Sequence, residues 1–280
     1  MIITRVSVDS AGNQGNSFSY TPSISPDGRF VAFTSDASNL VPGDTNNSYD
    51  IFVRDTLTNT TSRVSLDSAG NQGNRNSYRP SISAGGRFVA FESDASNIVP
   101  GDTNNTNDIF VRDTLTNTTT RVSIDSAGNQ ANDASDGASI SADGRFVAFD
   151  SYASNLVPGD TNNTNDIFVR DTLTNTTTRV SVDSAGNQQN FSSFFNVSSI
   201  SADGRFVAFT SFASNLVPGD TNAYTDIFVR DTLTNTTTRV SFGSAGNQGN
   251  SVSQSPSISA DGRFVAFTSF ASNLVPGDTK

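Results

Sequence analysis

The chain has 280 residues and carries 27 acidic against 17 basic side chains, a net charge of −10. It contains no Cys, no His and no Trp. Those absences exclude a disulfide framework, a Cys-ligated zinc site, a thiol nucleophile and the commonest general base. An isoelectric point near 4.3 disfavours nucleic acid and anionic membranes as partners.

No apolar run approaches the roughly 20 residues that span a bilayer, so no membrane insertion is expected. Residues 1–5 leave no room for the apolar segment of a signal peptide, so no export signal is expected in this chain. The charged residues are themselves skewed. Glu92 is the only Glu and Lys280 the only Lys; the other charges are Asp and Arg. Surface helices favour Glu and Lys, whereas turns favour Asp, Asn, Ser and Gly. The composition predicts strands and turns, with a few large rings, mostly among the 21 Phe, carrying the core.

In chain order, the first repeat predicts four strands. Residues 22–25 form strand A, and Asp27-Gly28 is a hairpin turn of the kind that accepts positive φ. Residues 30–34 form strand B and residues 51–54 strand C. Strand D spans residues 62–66, after a turn at Thr58-Asn59. Strands B and C are apolar on both faces, so their sheet has to lie between neighbours.

The pattern then recurs. Arg5, Arg63, Arg121, Arg179 and Arg239 each open Arg-Val-Ser, at spacings of 58, 58, 58 and 60 residues. Arg54, Arg112, Arg170 and Arg230 recur in Ile-Phe-Val-Arg-Asp at 58, 58 and 60. A period this long with strand-like content points to a propeller or a solenoid. The prediction is an all-β, five-bladed β-propeller of four-stranded antiparallel blades. A parallel β-helix is the alternative; its coils are shorter and need no Asp-Gly hairpin in each unit. The repeat units are approximately 9–66, 67–124, 125–182, 183–242 and 243–280 plus 1–8, in one domain.

The closing blade is expected to be incomplete. Strands A, B and D occur five times, but strand C only four. An N-terminal strand D (residues 4–8) would complete the last blade beside the strands of residues 255–269. The alternative is a truncated propeller. Strand B of that blade would keep an open edge, a route to self-association.

The phrases Ser25-Pro26-Asp27-Gly28-Arg29-Phe30-Val31-Ala32-Phe33 and Asp50-Ile51-Phe52-Val53-Arg54-Asp55 resemble the WD40-like (PD40) repeat of TolB-type propellers. The likeness recurs across nearly the whole chain; in the second unit Gly85-Gly86 stands in place of Asp-Gly. The resemblance implies a blade and little about activity. It also implies a periplasmic or extracellular setting.

Each B–C connection contains Asp-x-Asn-x-x-x-Asp: Asp44, Asn46 and Asp50, then Asp102, Asn104 and Asp108, Asp160, Asn162 and Asp166, and Asp220, Asn222 and Asp226. Hard oxygens at alternate positions suit Ca²⁺. The sixth position, however, holds Tyr49, Asn107, Asn165 or Thr225 where a calcium loop needs Gly. Asx-turns closing a long loop are the other reading. The repeated Arg residues are expected to form inter-strand or inter-blade ion pairs.

The copies differ most just before strand A. Phe18 and Tyr20 stand there in the first unit, Arg75, Tyr78 and Arg79 in the second, and Phe191, Phe194 and Phe195 in the fourth. Aromatic and Arg side chains among small polar ones are what recognition surfaces use. These residues form a candidate rim for a protein or glycan ligand; drift in a tolerant loop is the other reading. A second variable position, Asp36, Asp94, Tyr152, Phe212 and Phe270, reads as blade-edge packing, with an exposed contact as the other reading. No catalytic constellation stands out. Ser and Thr have no His or internal Lys to activate them, and no carboxylate pair is singular among the repeated Asp residues. The sequence therefore predicts a non-enzymatic binding or scaffold module, with Ca²⁺ as the one candidate cofactor.

Overall fold

The computed structural model describes residues 3–278, apart from the side chains of residues 194–197. Four sheets of four antiparallel strands follow one another. The first holds β1 (Ser19–Ile24), β2 (Phe30–Ser35), β3 (Asp50–Asp55) and β4 (Thr60–Arg63), in that order. The second repeats it as β5 (Ser77–Ile82), β6 (Phe88–Ser93), β7 (Asp108–Asp113) and β8 (Thr118–Arg121). The third contains β9 (Ser135–Ile140), β10 (Phe146–Ser151), β11 (Asp166–Asp171) and β12 (Thr176–Arg179). The fourth contains β13 (Ser193–Ile200), β14 (Phe206–Ser211), β15 (Asp226–Asp231) and β16 (Thr236–Arg239). A last sheet has two strands, β17 (Ser253–Ile258) and β18 (Val265–Ser269). These are the blades of a five-bladed propeller whose closing blade is incomplete.

The central pair of each full sheet is regular. From Phe30↔Asp55 to Ser35↔Asp50, every residue of β2 faces one of β3. Strand pairs apolar on both faces are buried on both: Ala32, Phe33, Ile51 and Phe52 are all at most 2% exposed.

Strand A departs from expectation. It begins at Ser19, three residues early, and its register slips between Tyr20 and Ser23. The slip is a bulge at Thr21, which adopts φ 47°; Arg79 and Ser255 repeat it at 47° and 55°. Strand D is also displaced, to residues 60–63. The Ser65 hydroxyl accepts the Ile51 N–H that a continuing strand would have taken, and so ends the ladder. Residues 4–7 form no strand, and Val8 makes only an isolated bridge with Gln14. Each described strand D pairs with the strand C just before it in the chain.

The chain divides into two compact units, residues 1–123 and 124–280. In the first, Ala32, Ile51, Val53 and Val64 of one blade pack with Val89, Phe91 and Phe110 of the next. In the second, Ala148, Ile167 and Val169 pack with Val207, Phe209 and Phe228 in the same way.

Neighbouring blades inside a unit also share a lock. The Phe30 ring fills the space beside Gly86, the Phe146 ring that beside Gly204, and the Phe206 ring that beside Gly262. Beside each lock the Ile82 N–H donates to Ser23 Oγ at 3.1 Å, and the Ile200 and Ile258 N–H groups donate to Ser139 and Ser199. In the second unit Ala142 N donates to Ala202 O, and Ala202 N to Ala260 O, both at 3.0 Å.

Candidate functional site

The B–C loops bring the predicted acidic residues together around an arginine. Arg63 Nη1 lies 3.0 Å from Asp44 Oδ1 and 3.1 Å from Asp50 Oδ2. Asn46 donates its amide to Asp50 at 3.1 Å, and Ser65 donates its hydroxyl to the other Asp50 oxygen. The same arrangement recurs with Arg121 between Asp102 and Asp108, Arg179 between Asp160 and Asp166, and Arg239 between Asp220 and Asp226. Asn104, Asn162 and Asn222 donate to Asp108, Asp166 and Asp226 as Asn46 does to Asp50.

Asn46 Oδ1 accepts from the Ser48 N–H, an Asx-turn. Burial pushes the Asp50, Asp108 and Asp166 carboxyls above the ordinary carboxylate range, against the pull of their hydroxyl and arginine partners. The guanidinium thus supplies the positive charge that a cation would bring. Among the described residues, no group of three or more His, Cys, Asp or Glu side chains is placed to hold a metal ion.

Other arginines of the repeat are likewise engaged. Arg29 forms a two-pronged pair with Asp55, at 3.0 and 2.7 Å, and its guanidinium lies 4.6 Å from the Phe30 ring centre. Arg54 donates to Asp9 O, Thr61 Oγ1 and Asn59 Oδ1, tying the segment before the first blade to β4. A cleft of about 240 Å³ between the third and fourth blades includes Asp171, Arg179 and Arg230 in its walls. Asp171 is held by Arg145, Arg179 by Asp160, and Arg230 by Thr237 and Asn235.

Within the first unit the structure aligns three tyrosines. Tyr20 meets Tyr49 edge-on at 5.5 Å, and Tyr49 meets Tyr78 at 5.5 Å. Burial and a hydrogen bond with Tyr49 push the Tyr20 hydroxyl well above its usual range. Phe18 is 77% exposed, and Arg75 and Arg79 are exposed. Arg79 pairs at 3.2 Å with Glu92, which is buried on β6. Tyr20, Tyr78 and Arg79 lie on the first strands themselves, because those strands start earlier than expected.

In the second unit, Phe191 stands edge-on to Phe212 at 5.6 Å. Phe194 and Phe195 fall in β13, and their side chains lie outside the described residues. At the second variable position, Phe212 packs on Phe191, whereas Tyr152 and Phe270 are 50% and 65% exposed.

Two members of the site escaped the sequence reading. Tyr49 stands at a loop position read only as lacking Gly; its signal was the contrast with Asn107, Asn165 and Thr225 in the other copies. Glu92 was visible as the chain's one Glu, in a column otherwise held by Thr34, Asp150, Thr210 and Thr268.

No family model matches the chain, and no curated protein sequence does. Solved structures do. A protein assigned as TolB from Agrobacterium tumefaciens superposes with a TM-score of 0.52 at 18% identity, over 89% of this chain and 74% of that one. An oligogalacturonate lyase in complex with manganese gives 0.52 at 13% identity, over 92% and 64%. TolB from Acinetobacter baumannii gives 0.49 at 20% identity; 89% of this chain covers 48% of it, about half its length. The fold is that of a β-propeller, and among the described residues no helix is long and apolar enough to cross a membrane.

Proposed function

We propose that the protein is a non-enzymatic binding propeller that presents an aromatic surface of its first unit to a protein or glycan ligand. The observation that carries this reading is the row Tyr20–Tyr49–Tyr78, flanked by exposed Phe18 and by the Arg79–Glu92 pair. Every one of these residues is at a position where the repeats differ, while the strands Asp-Ile-Phe-Val-Arg-Asp at the centre of the full blades are identical in all four copies. Tyrosines offer a large, rigid contact area with a polar tip, at small entropic expense. A lyase on the same fold means that fold alone leaves activity open. The reading rests on this surface and on a chain with neither His nor Cys.

The test is capture on glycan and peptide arrays, followed by Tyr49→Ala and Tyr78→Ala variants. Loss of capture with an unchanged melting curve supports the reading. A confirmed ligand held equally by both variants rejects it. Silence on both arrays favours the alternative of a structural repeat scaffold with no ligand of its own.

A further inference from the structure

Two blade faces, that of the first blade and that of the last, carry the halves of a lock that is filled between neighbouring blades inside each unit. Beside Gly86, Gly204 and Gly262 stands a Phe ring from the preceding blade; Gly28, at the same turn of the first blade, has nothing within 4 Å of its added Cβ position. Conversely, Phe30, Phe146 and Phe206 are half-buried under the next blade, whereas Phe264 is 65% exposed.

The polar groups beside the lock follow the same pattern. The Ile82, Ile200 and Ile258 N–H groups donate to a Ser hydroxyl of the blade before. Ile24 has no such acceptor and is 62% exposed, while Ser257, the last Ser of that series, is exposed without such a donor. Ala260 N and Pro26 O stand at the positions that Ala202 N and Ala260 O occupy in the filled contact. Even the strands register the difference. β18 has no fully buried residue, although β2, β6, β10 and β14 are buried along almost their whole length.

We propose that a second copy of this chain covers these faces, head to tail. Phe264 of one copy enters the space beside Gly28 of the next, Ile24 N–H donates to Ser257 Oγ, and Ala260 N–H donates to Pro26 O. The occupant is set by what already covers identical faces inside the chain, namely another blade of the same sequence. Such a contact joins two different surfaces and is heterologous; its rotation decides between a closed ring of copies and an open filament. The apolar area involved is that of an internal blade contact, so association strengthens with concentration. The inference is independent of the ligand reading and is read out as mass.

Because the chain has no Cys, engineered cysteines report without background. Sedimentation equilibrium of the unmodified chain is expected to give masses above 29.5 kDa that rise with concentration. Phe264→Arg, at an exposed position, is expected to remain monomeric with an unchanged melting curve. An equimolar mixture of Ile24→Cys and Ser257→Cys, each a single-cysteine chain, is expected to form a disulfide dimer faster than either alone. Three results overturn the proposal: a monomer at every soluble concentration, association that survives Phe264→Arg, or a double-cysteine chain that closes on itself while the mixture stays uncrosslinked.

Discussion

A carbon added to Gly86 would stand 2.4 Å from Cγ of Phe30. The first two blades are therefore held by a ring that uses the space of a missing side chain. Gly86 also has φ +73°, as Gly28 has +72° at the equivalent turn, where nothing lies within 4 Å. Any L-residue in that conformation is strained by about 1–2 kcal/mol. Gly86→Ala is expected to add overpacking on top, about 1–3 kcal/mol; Gly28→Ala should lack it. Urea unfolding of both variants at low protein concentration checks this. Equal losses would mean that the ring moves aside freely.

Arg63 bridges Asp44 and a fully buried Asp50. Arg63→Met leaves a buried carboxylate without its countercharge, a loss of about 3–5 kcal/mol. Adding Asp50→Asn to that variant should restore part of the stability. A single variant within experimental error of the parent would show that Asn46 and Ser65 alone suffice.

Calcium competes with the same arginine. An ion that binds the folded chain raises stability with its concentration, but here it would have to displace a guanidinium held by two carboxylates. The melting temperature is expected to be the same in millimolar calcium and in chelator. A reproducible rise with calcium would assign Asp44, Asn46 and Asp50 to the metal after all.

Acid acts on a different set of carboxyls. Asp55, Asp113, Asp171 and Asp231 are held well below the ordinary range, first by their Arg29, Arg87, Arg145 and Arg205 partners. A depressed folded-state value adds stability above the unfolded value, near pH 4, and that stability is lost as pH falls. Asp50, Asp108 and Asp166 are raised, so their contribution runs the other way and fades as pH rises through their folded values. The melting temperature should drop below about pH 4. Asp55→Asn and Asp113→Asn should flatten that drop, and Asp50→Asn should not. The partly exposed arginines keep each effect modest. A parallel drop in all variants would rule this assignment out.

Much of the blade was legible because its signals are local. Phe30 to Phe33 and Ile51 to Val53 are apolar on both faces, and Asp27-Gly28 sits between predicted strands. Strand A was read too short because Ser19-Tyr20-Thr21-Pro22 has no alternation, and a bulge at Thr21 leaves no mark in residue type. Strand D was read late because a side chain, Ser65, replaces the backbone at Ile51. The acidic loop was recognised, but not its counterion: Arg63 arrives from 13 residues beyond Asp50, and only the folded sheet brings them together.

The lock between Phe30 and Gly86 has a genetic consequence. Since the described blades present much the same knob and hole, unequal recombination that drops or inserts one whole repeat leaves every remaining junction matched. Length in this architecture is then free to vary by whole units, while a shift of even a few residues within a repeat would misalign ring and glycine.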